Sequence, residues 1–236
     1  MITETVPIRK RKLSDDVQAR LITLVQSESL RPGDVLPSER ELMTSFGVGR
    51  PAIREAMQSL QRMGLIEIRH GERARVAEPS VGRMIEQMSE TVRHMLYHSP
   101  ASLEHLKEAR ATFELEMARI AARRRSASDV ARLRGIVEQQ EVAKSTPSQF
   151  LSLDGAFHRE IASVGGNPIF PAVSEAVFQW LANFHVDLVR LPGAEKLTIA
   201  EHKRIIDAVE AKNPDEAAKA MMDHLARANS LYRRLG

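Results

Sequence analysis

The chain has 236 residues, 43% of them apolar, a net charge of +3 and no cysteine. That length holds two modest domains, and the apolar fraction is ordinary for a globular protein, which excludes a polycation that binds by charge alone. Disulfides, thiolate catalysis and cysteine-held metals are also excluded; no apolar run approaches the roughly 18 residues that span a bilayer, and no signal-peptide core is present. The expectation is a cytoplasmic protein with no membrane partner, in which any metal rests on His, Asp or Glu.

In chain order, Arg9-Lys10-Arg11-Lys12 forms a basic arm ahead of the first helix, either touching phosphates or simply solvated. Ser38 and Glu41 have the spacing of a reciprocal capping box, so a helix should begin at about Glu39, with Leu42, Met43 and Phe46 on its apolar face. Gly47 ends it, Val48-Gly49 turns the chain, and Pro51 opens a second helix that runs to about Met63. Ile53, Met57 and Leu60 recur at helical spacing and leave Arg50, Arg54 and Gln58 outward. Beyond Gly64, Leu65 to Ile68 reads as a strand, His70-Gly71-Glu72 as a turn and Arg73 to Val76 as the returning strand.

Two short helices, a tight turn and a basic hairpin in this order define a winged helix-turn-helix. Such a motif sets the N-terminal residues of its second helix at base edges, where Arg grips guanine with two donors. Arg50 and Arg54 hold those places, Arg40 is set for phosphates, and the slim His70-Gly71 tip suits the minor groove. Pro37-Ser38-Glu39-Arg40-Glu41-Leu42, Val48-Gly49-Arg50-Pro51 and Ile53-Arg54-Glu55-Ala56 resemble the operator-reading domain of the GntR family of bacterial transcription regulators, over about residues 10–78. The resemblance implies operator contacts by Arg40, Arg50, Arg54, His70 and Gly71. It departs from the family at Pro51, where Ser or Thr is more usual.

After the short linker Ala77-Glu78-Pro79-Ser80 the strand pattern ends. Seven helices are expected, at about 81–97, 102–124, 128–144, 147–164, 168–190, 196–211 and 214–235. Thr146-Pro147, Asn167-Pro168 and Asn213-Pro214 each place a capping side chain before a proline. Short connections between long helices imply an antiparallel bundle. The fold class is therefore mainly α: a winged helix-turn-helix over 1–78 and an all-α bundle of about seven helices over 79–236.

Within the bundle, Asp154 and His158 are four apart and share a face with Leu151 and Ile161. His202 lies in line with Ile199, Ile205 and Ile206, and His224 with Met221, Leu225 and Ala228. Three histidines and an aspartate thus aim inward from three helices. Each one left unpaired in an apolar interior costs on the order of 1–3 kcal/mol, so they bond to one another or to backbone, or they hold a divalent cation. Zn²⁺ is the first choice for imidazole and carboxylate ligands, with Ni²⁺ and Mn²⁺ open.

The D-x3-H…H…H pattern of Asp154, His158, His202 and His224 resembles the metal signature of the FCD effector domain, which follows the winged helix in the FadR subfamily. The run Gly71 to Val76 and Gly166-Asn167-Pro168-Ile169-Phe170 look most like its sialic-acid-responsive branch. The resemblance implies a pocket for a small organic acid, and Arg110 matches a position where the subfamily often has an Arg near it; otherwise Arg110 pairs with Glu114 or Glu108 on its own helix. A homodimer is expected, since such winged helices read symmetric half-sites.

The function expected from these features is a metabolite-responsive DNA-binding regulator, a repressor released from its operator by the acid, and not an enzyme. The alternatives are a metal-dependent hydrolase, which lacks an HExxH pair and leaves the winged helix unexplained, and a regulator whose metal is purely structural.

Overall fold

The computed structural model describes residues 12–27, 30–182 and 194–229, and the chain separates into two compact units, Met1–Gln87 and Met88–Gly236. Arg9 to Arg11 of the basic arm, the stretch 183–190 of the fifth expected bundle helix and the stretch 230–235 of the last lie outside the described residues.

The first unit opens with α1 (Leu13–Gln26), whose Val17, Leu21 and Val25 recur every fourth residue and are buried. The capping box forms as the sequence implies: Glu41 N donates to Ser38 Oγ at 3.2 Å and Ser38 N to Glu41 Oε2 at 2.6 Å, starting α2 (Glu39–Phe46). Gly47 ends α2 at φ 67°, a conformation that only glycine adopts without a Cβ clash. The next helix, α3 (Arg50–Arg62), begins one residue before Pro51, because Gly49 and not Arg50 takes the extended cap conformation. Leu21, Leu36, Ile53, Leu60 and Ile66 fill the core beneath α1 and α3. Burying each such side chain contributes about 1.5–3 kcal/mol.

The wing is shorter than the alternation of its residues suggests. Strand β1 (Ile66–Glu67) pairs antiparallel with β2 (Arg75–Val76), Ile66 opposite Val76 and Glu67 opposite Arg75. Arg73 and Ala74 lie beyond the ladder, and the returning segment also bonds on its other edge: Leu36 N donates to Ala74 O at 2.8 Å, and Val35 bridges Arg75. Two wing arginines tighten that edge, Arg73 Nη2 donating to Leu36 O at 2.9 Å and Arg75 Nη1 to Gly33 O at 3.0 Å.

Among its described residues the second unit, with the start of its first helix, is built of α4 (Val81–His98), α5 (Pro100–Arg124), α6 (Ala127–Val142), α7 (Pro147–Ser163), α8 (Ile169–Ala182), α9 (Ala194–Glu210) and α10 (Pro214–Asn229). Two of the three expected caps form, Asn167 Oδ1 accepting from Ile169 N at 3.0 Å and Asn213 Oδ1 from Glu216 N at 3.2 Å. Thr146 makes no side-chain cap. A 3-10 turn, Ala143–Ser145, closes on its N–H and leaves its ψ at 86°, away from the extended geometry of a capping residue.

Helix α5 packs on α7, α9 and α10, while α6 packs on α7 and α9. Leu133, Phe157, Ile161, Ile205, Val209 and Met221 form the centre of that core. Gly155 sets the approach of α7 to α8: a Cβ there would stand 2.9 Å from the Phe178 ring. No helix among the described residues is long and apolar enough to cross a membrane.

Candidate metal centre and nucleic-acid interface

The bundle brings together the four residues that the sequence singled out. One ligand atom from each of Asp154, His158, His202 and His224 lies within 4.8 Å of all the others, and all four residues are buried, His202 completely. Asp154 and His158 come from α7, one turn apart; His202 comes from α9 and His224 from α10. Each belongs to the buried stripe of its helix, so the packing that forms the core also forms the cluster.

The outward nitrogen of every histidine is held by an acceptor. His202 Nδ1 meets Gln140 Oε1 of α6 at 2.9 Å, His224 Nδ1 meets Glu201 Oε2 of α9 at 2.8 Å, and His158 Nδ1 pairs with Glu114 Oε2 of α5. Both carboxylates are kept ionised. Burial opposes the charge on Glu114, but the Arg110 guanidinium and His158 outweigh it and hold the carboxyl far below its usual range. Burial likewise opposes the charge on Glu201, which is held low by hydrogen bonds from Arg227 and His224; Arg227 Nε and Nη2 reach its two oxygens, each at 2.6 Å.

Two of these acceptors are ionised carboxylates and the third is an amide oxygen, so the contacts place a ring proton on Nδ1 and direct Nε2 inward. Burial pushes the His202 pKa well below its ordinary value, with the neighbouring His224 and His158 acting in the same sense, and burial also lowers His224 against the pull of Glu201. Burial thus favours the neutral form of His202 and His224. Phe157 stacks on His202 with ring centroids 3.8 Å apart and fixes its plane.

The inner face of the cluster is therefore rich in acceptors and short of protons. His158 Nε2 and His224 Nε2 face each other at 3.3 Å, and Asp154 Oδ1 faces His202 Nε2 at 3.4 Å. Asp154 Oδ1 and His202 Nε2 are buried without a hydrogen-bond partner. Lone pairs set against lone pairs in a low dielectric repel, and a cation between them turns that repulsion into ligation. Bonds of about 2.0–2.1 Å from a tetrahedral cation put its donors roughly 3.3–3.4 Å apart; these two pairs have that spacing, while the four ligand atoms together span up to 4.8 Å and would draw in around a cation. The residues present fit a divalent metal.

Arg110 stands behind this cluster. It is buried, and its Nε donates to Glu114 Oε1 at 2.5 Å, the pairing on its own helix that the sequence allowed as one of two roles. Its guanidinium also lies 5.9 Å from the Phe178 ring centroid. A narrow recess lined by Phe150, Leu151, Asp154, Thr198, His224 and Arg227 leads to the side of the cluster. The sequence pointed to Glu114 only as a partner of Arg110, and not to its place behind His158 or to Gln140 and Glu201.

In the first unit, Arg40, Arg50, Arg54, His70 and Gly71 are all exposed. Arg54 borders a groove between α3 and the wing, lined also by Glu39, Gln58, Gln61, Glu72 and Arg73. Glu39, at the start of α2, reaches two of the expected readers: Arg54 Nε lies 2.9 and 3.2 Å from its two oxygens, and Arg50 Nε lies 3.6 Å from Oε2.

A winged helix joined in sequence to a helical bundle with a buried Asp/His₃ cluster defines a class, the ligand-responsive DNA-binding regulators. The matches to known families make the class specific: residues 13–76 match the model of bacterial regulatory proteins of the gntR family, and residues 105–227 match the FCD domain. The chain is 36% identical over 228 residues to an HTH-type transcriptional repressor NanR from Cronobacter sakazakii, covering 96% of this chain and 86% of that protein. It is 35% identical over 232 residues to the NanR of Salmonella schwarzengrund, covering 98% and 88%. Among solved structures, a GntR protein of Streptococcus agalactiae shares the fold with a TM-score of 0.61, at 24% identity, over 92% of this chain and 99% of that one.

This chain belongs to the GntR family and carries an FCD domain. It is a DNA-binding transcriptional repressor with an effector domain, and the hydrolase alternative falls because its relatives regulate transcription and are not enzymes.

Proposed function

We propose that residues 1–78 read the operator through Arg40, Arg50, Arg54, His70 and Gly71, and that residues 79–236 form the effector-binding and dimerisation domain. Asp154, His158, His202 and His224 hold Zn²⁺ in this reading. The observation that carries it is the convergence of three histidine Nε2 atoms and an unpartnered Asp154 oxygen in one buried space. Nitrogen and carboxylate donors suit Zn²⁺, Ni²⁺ and Mn²⁺, and Zn²⁺ is placed first as a common partner of imidazole.

When bound, the metal supplies a Lewis-acid position for the carboxylate of a small organic acid. The chain's own residues do the rest. Glu114, Gln140 and Glu201 hold the rings, and Arg110 contributes positive charge at the effector pocket beyond its pair with Glu114. Likeness to the sialic-acid-responsive branch puts sialic acids first among the candidate effectors. Two copies of the chain read two half-sites, and the acid favours an arrangement of the readers that the operator does not, which releases the protein from DNA in the cytoplasm.

Linkage supplies the test. Isothermal titration of N-acetylneuraminate into zinc-loaded protein, with and without a bound operator duplex, should give weaker acid binding on DNA, by the same factor with which the acid weakens DNA binding. Equal affinities in the two titrations would sink the switch. Loss of folding on chelation, with no organic acid altering DNA binding, would favour a purely structural metal.

A further inference from the structure

The structure assigns Glu39 a part in operator choice: we infer that it is a positioning residue that aims Arg54, and with it Arg50, at base edges and screens out DNA of the wrong sequence. The inference rests on the reading of Arg50 and Arg54 as operator contacts.

A guanidinium has two hydrogen-bonding edges. Bidentate reading of guanine O6 and N7 takes two donors, and the Nη1/Nη2 end supplies them if the side chain is held at its stem. Glu39 grips Arg54 at that stem, Nε lying 2.9 Å from Oε1 and 3.2 Å from Oε2. The same carboxylate lies 3.6 Å from Arg50 Nε. One acidic side chain therefore holds the stem of Arg54 and stands within ion-pair reach of Arg50 one turn earlier on α3, and the Nη end of Arg54 remains for a ligand. Fixing a long side chain before binding removes entropy that the complex would otherwise lose.

Glu39 has its own support. It lies in the first turn of α2, where the helix dipole favours a carboxylate, and Ser38 and Glu41 fix the start of that helix through the capping box. It also lines the groove between α3 and the wing with Arg54, Glu72 and Arg73. A negative charge there opposes phosphates. It weakens every encounter with DNA by a similar amount, while its grip on Arg54 helps only where a matching base waits, so the net effect is discrimination.

The experiment uses the full-length protein and its Glu39→Gln, Glu39→Ala and Arg54→Ala variants. The wild type selects its preferred duplex from a random-sequence library, and fluorescence anisotropy then measures the affinity of each protein for that duplex and for a scrambled one at several salt concentrations. Glu39→Gln and Glu39→Ala should keep the wild-type melting temperature within a few degrees. They should bind the scrambled duplex about two- to threefold more tightly, through the loss of one repulsive charge, and their preference for the selected duplex should fall about tenfold. If both keep the wild-type preference while Arg54→Ala loses it, Arg54 is a reader and the role of Glu39 is refuted. If Arg54→Ala also keeps it, the operator reading itself fails.

Discussion

Replacing Glu114 by Gln tests the coupling of the bundle core to the cluster. Arg110 is 2% exposed and Glu114 6%, and one carboxylate serves both the Arg110 Nε–H and the His158 Nδ1–H. A Gln at 114 offers a single oxygen and an unwanted NH₂ group, so either the guanidinium or the imidazole loses its contact with the residue 114 oxygen. Removing one partner of a buried ion pair costs about 3–5 kcal/mol. For a domain of this size that is a fall in melting temperature of roughly 6–20 °C. Independently, a histidine that loses its orienting carboxylate should bind metal about 10–100 times more weakly.

Two assays separate these effects: calorimetric unfolding of the metal-free protein, and competition for Zn²⁺ with a chromophoric chelator. The double variant Arg110→Met, Glu114→Leu removes both charges together. It should recover part of the lost stability, since apolar replacement of a buried pair is close to neutral, but neither the remainder nor the metal affinity, because His158 Nδ1 still lacks an acceptor. A Glu114→Gln protein within about 1 kcal/mol of wild type, with unchanged Zn²⁺ affinity, would refute the account of Glu114 as the link between Arg110 and His158.

Arg54→Ala should cost about 1–3 kcal/mol at the operator, read in a mobility-shift titration, and unchanged binding would remove it from the interface. Metal-free protein should lose stability as pH falls through about 6.5. The folded pKa of His202 lies well below that of the unfolded chain, and that of His224 lies below it too, so the unfolded state binds protons first; the loss should reach up to about 1.4 kcal/mol per pH unit for each histidine, and urea unfolding at pH 7 and pH 5.5 measures it. Gly155→Ala should destabilise the bundle by about 1–3 kcal/mol, because the new methyl meets the Phe178 ring at 2.9 Å; a wild-type melting temperature would show that α8 gives way freely.

The features legible in the sequence are local ones. Ser38 and Glu41, Gly47, and Asn213 with Pro214 act within one helical turn of their own position, and the inward aim of His202 and His224 follows from a single helical period. The wing's third edge was not legible, because Val35 and Leu36 meet Arg75 and Ala74 across nearly forty residues that no periodicity connects. The partners behind the histidines left a trace that can now be recognised. Val130, Leu133, Val137 and Gln140 form one buried stripe on α6, and Leu103, Lys107, Arg110, Glu114 and Met117 form another on α5. A polar residue at a core step of such a stripe needs a buried partner. The sequence could expose that need at Gln140 and Glu114, but only the packing of α5 and α6 against α7 and α9 could say that His158 and His202 meet it.

Each histidine in the cluster is braced from a helix other than its own: α5 braces α7, α6 braces α9, and α9 braces α10. A rigid shift of any one of these five helices by an ångström would pull on a ring that a neighbour is holding in place. Occupancy of a space only a few ångströms across is thus a mechanical property of the whole bundle, and a readout attached to any of these helices would sense the same event. A domain wired in this way can vary at its outer surface while the buried cluster stays as it is.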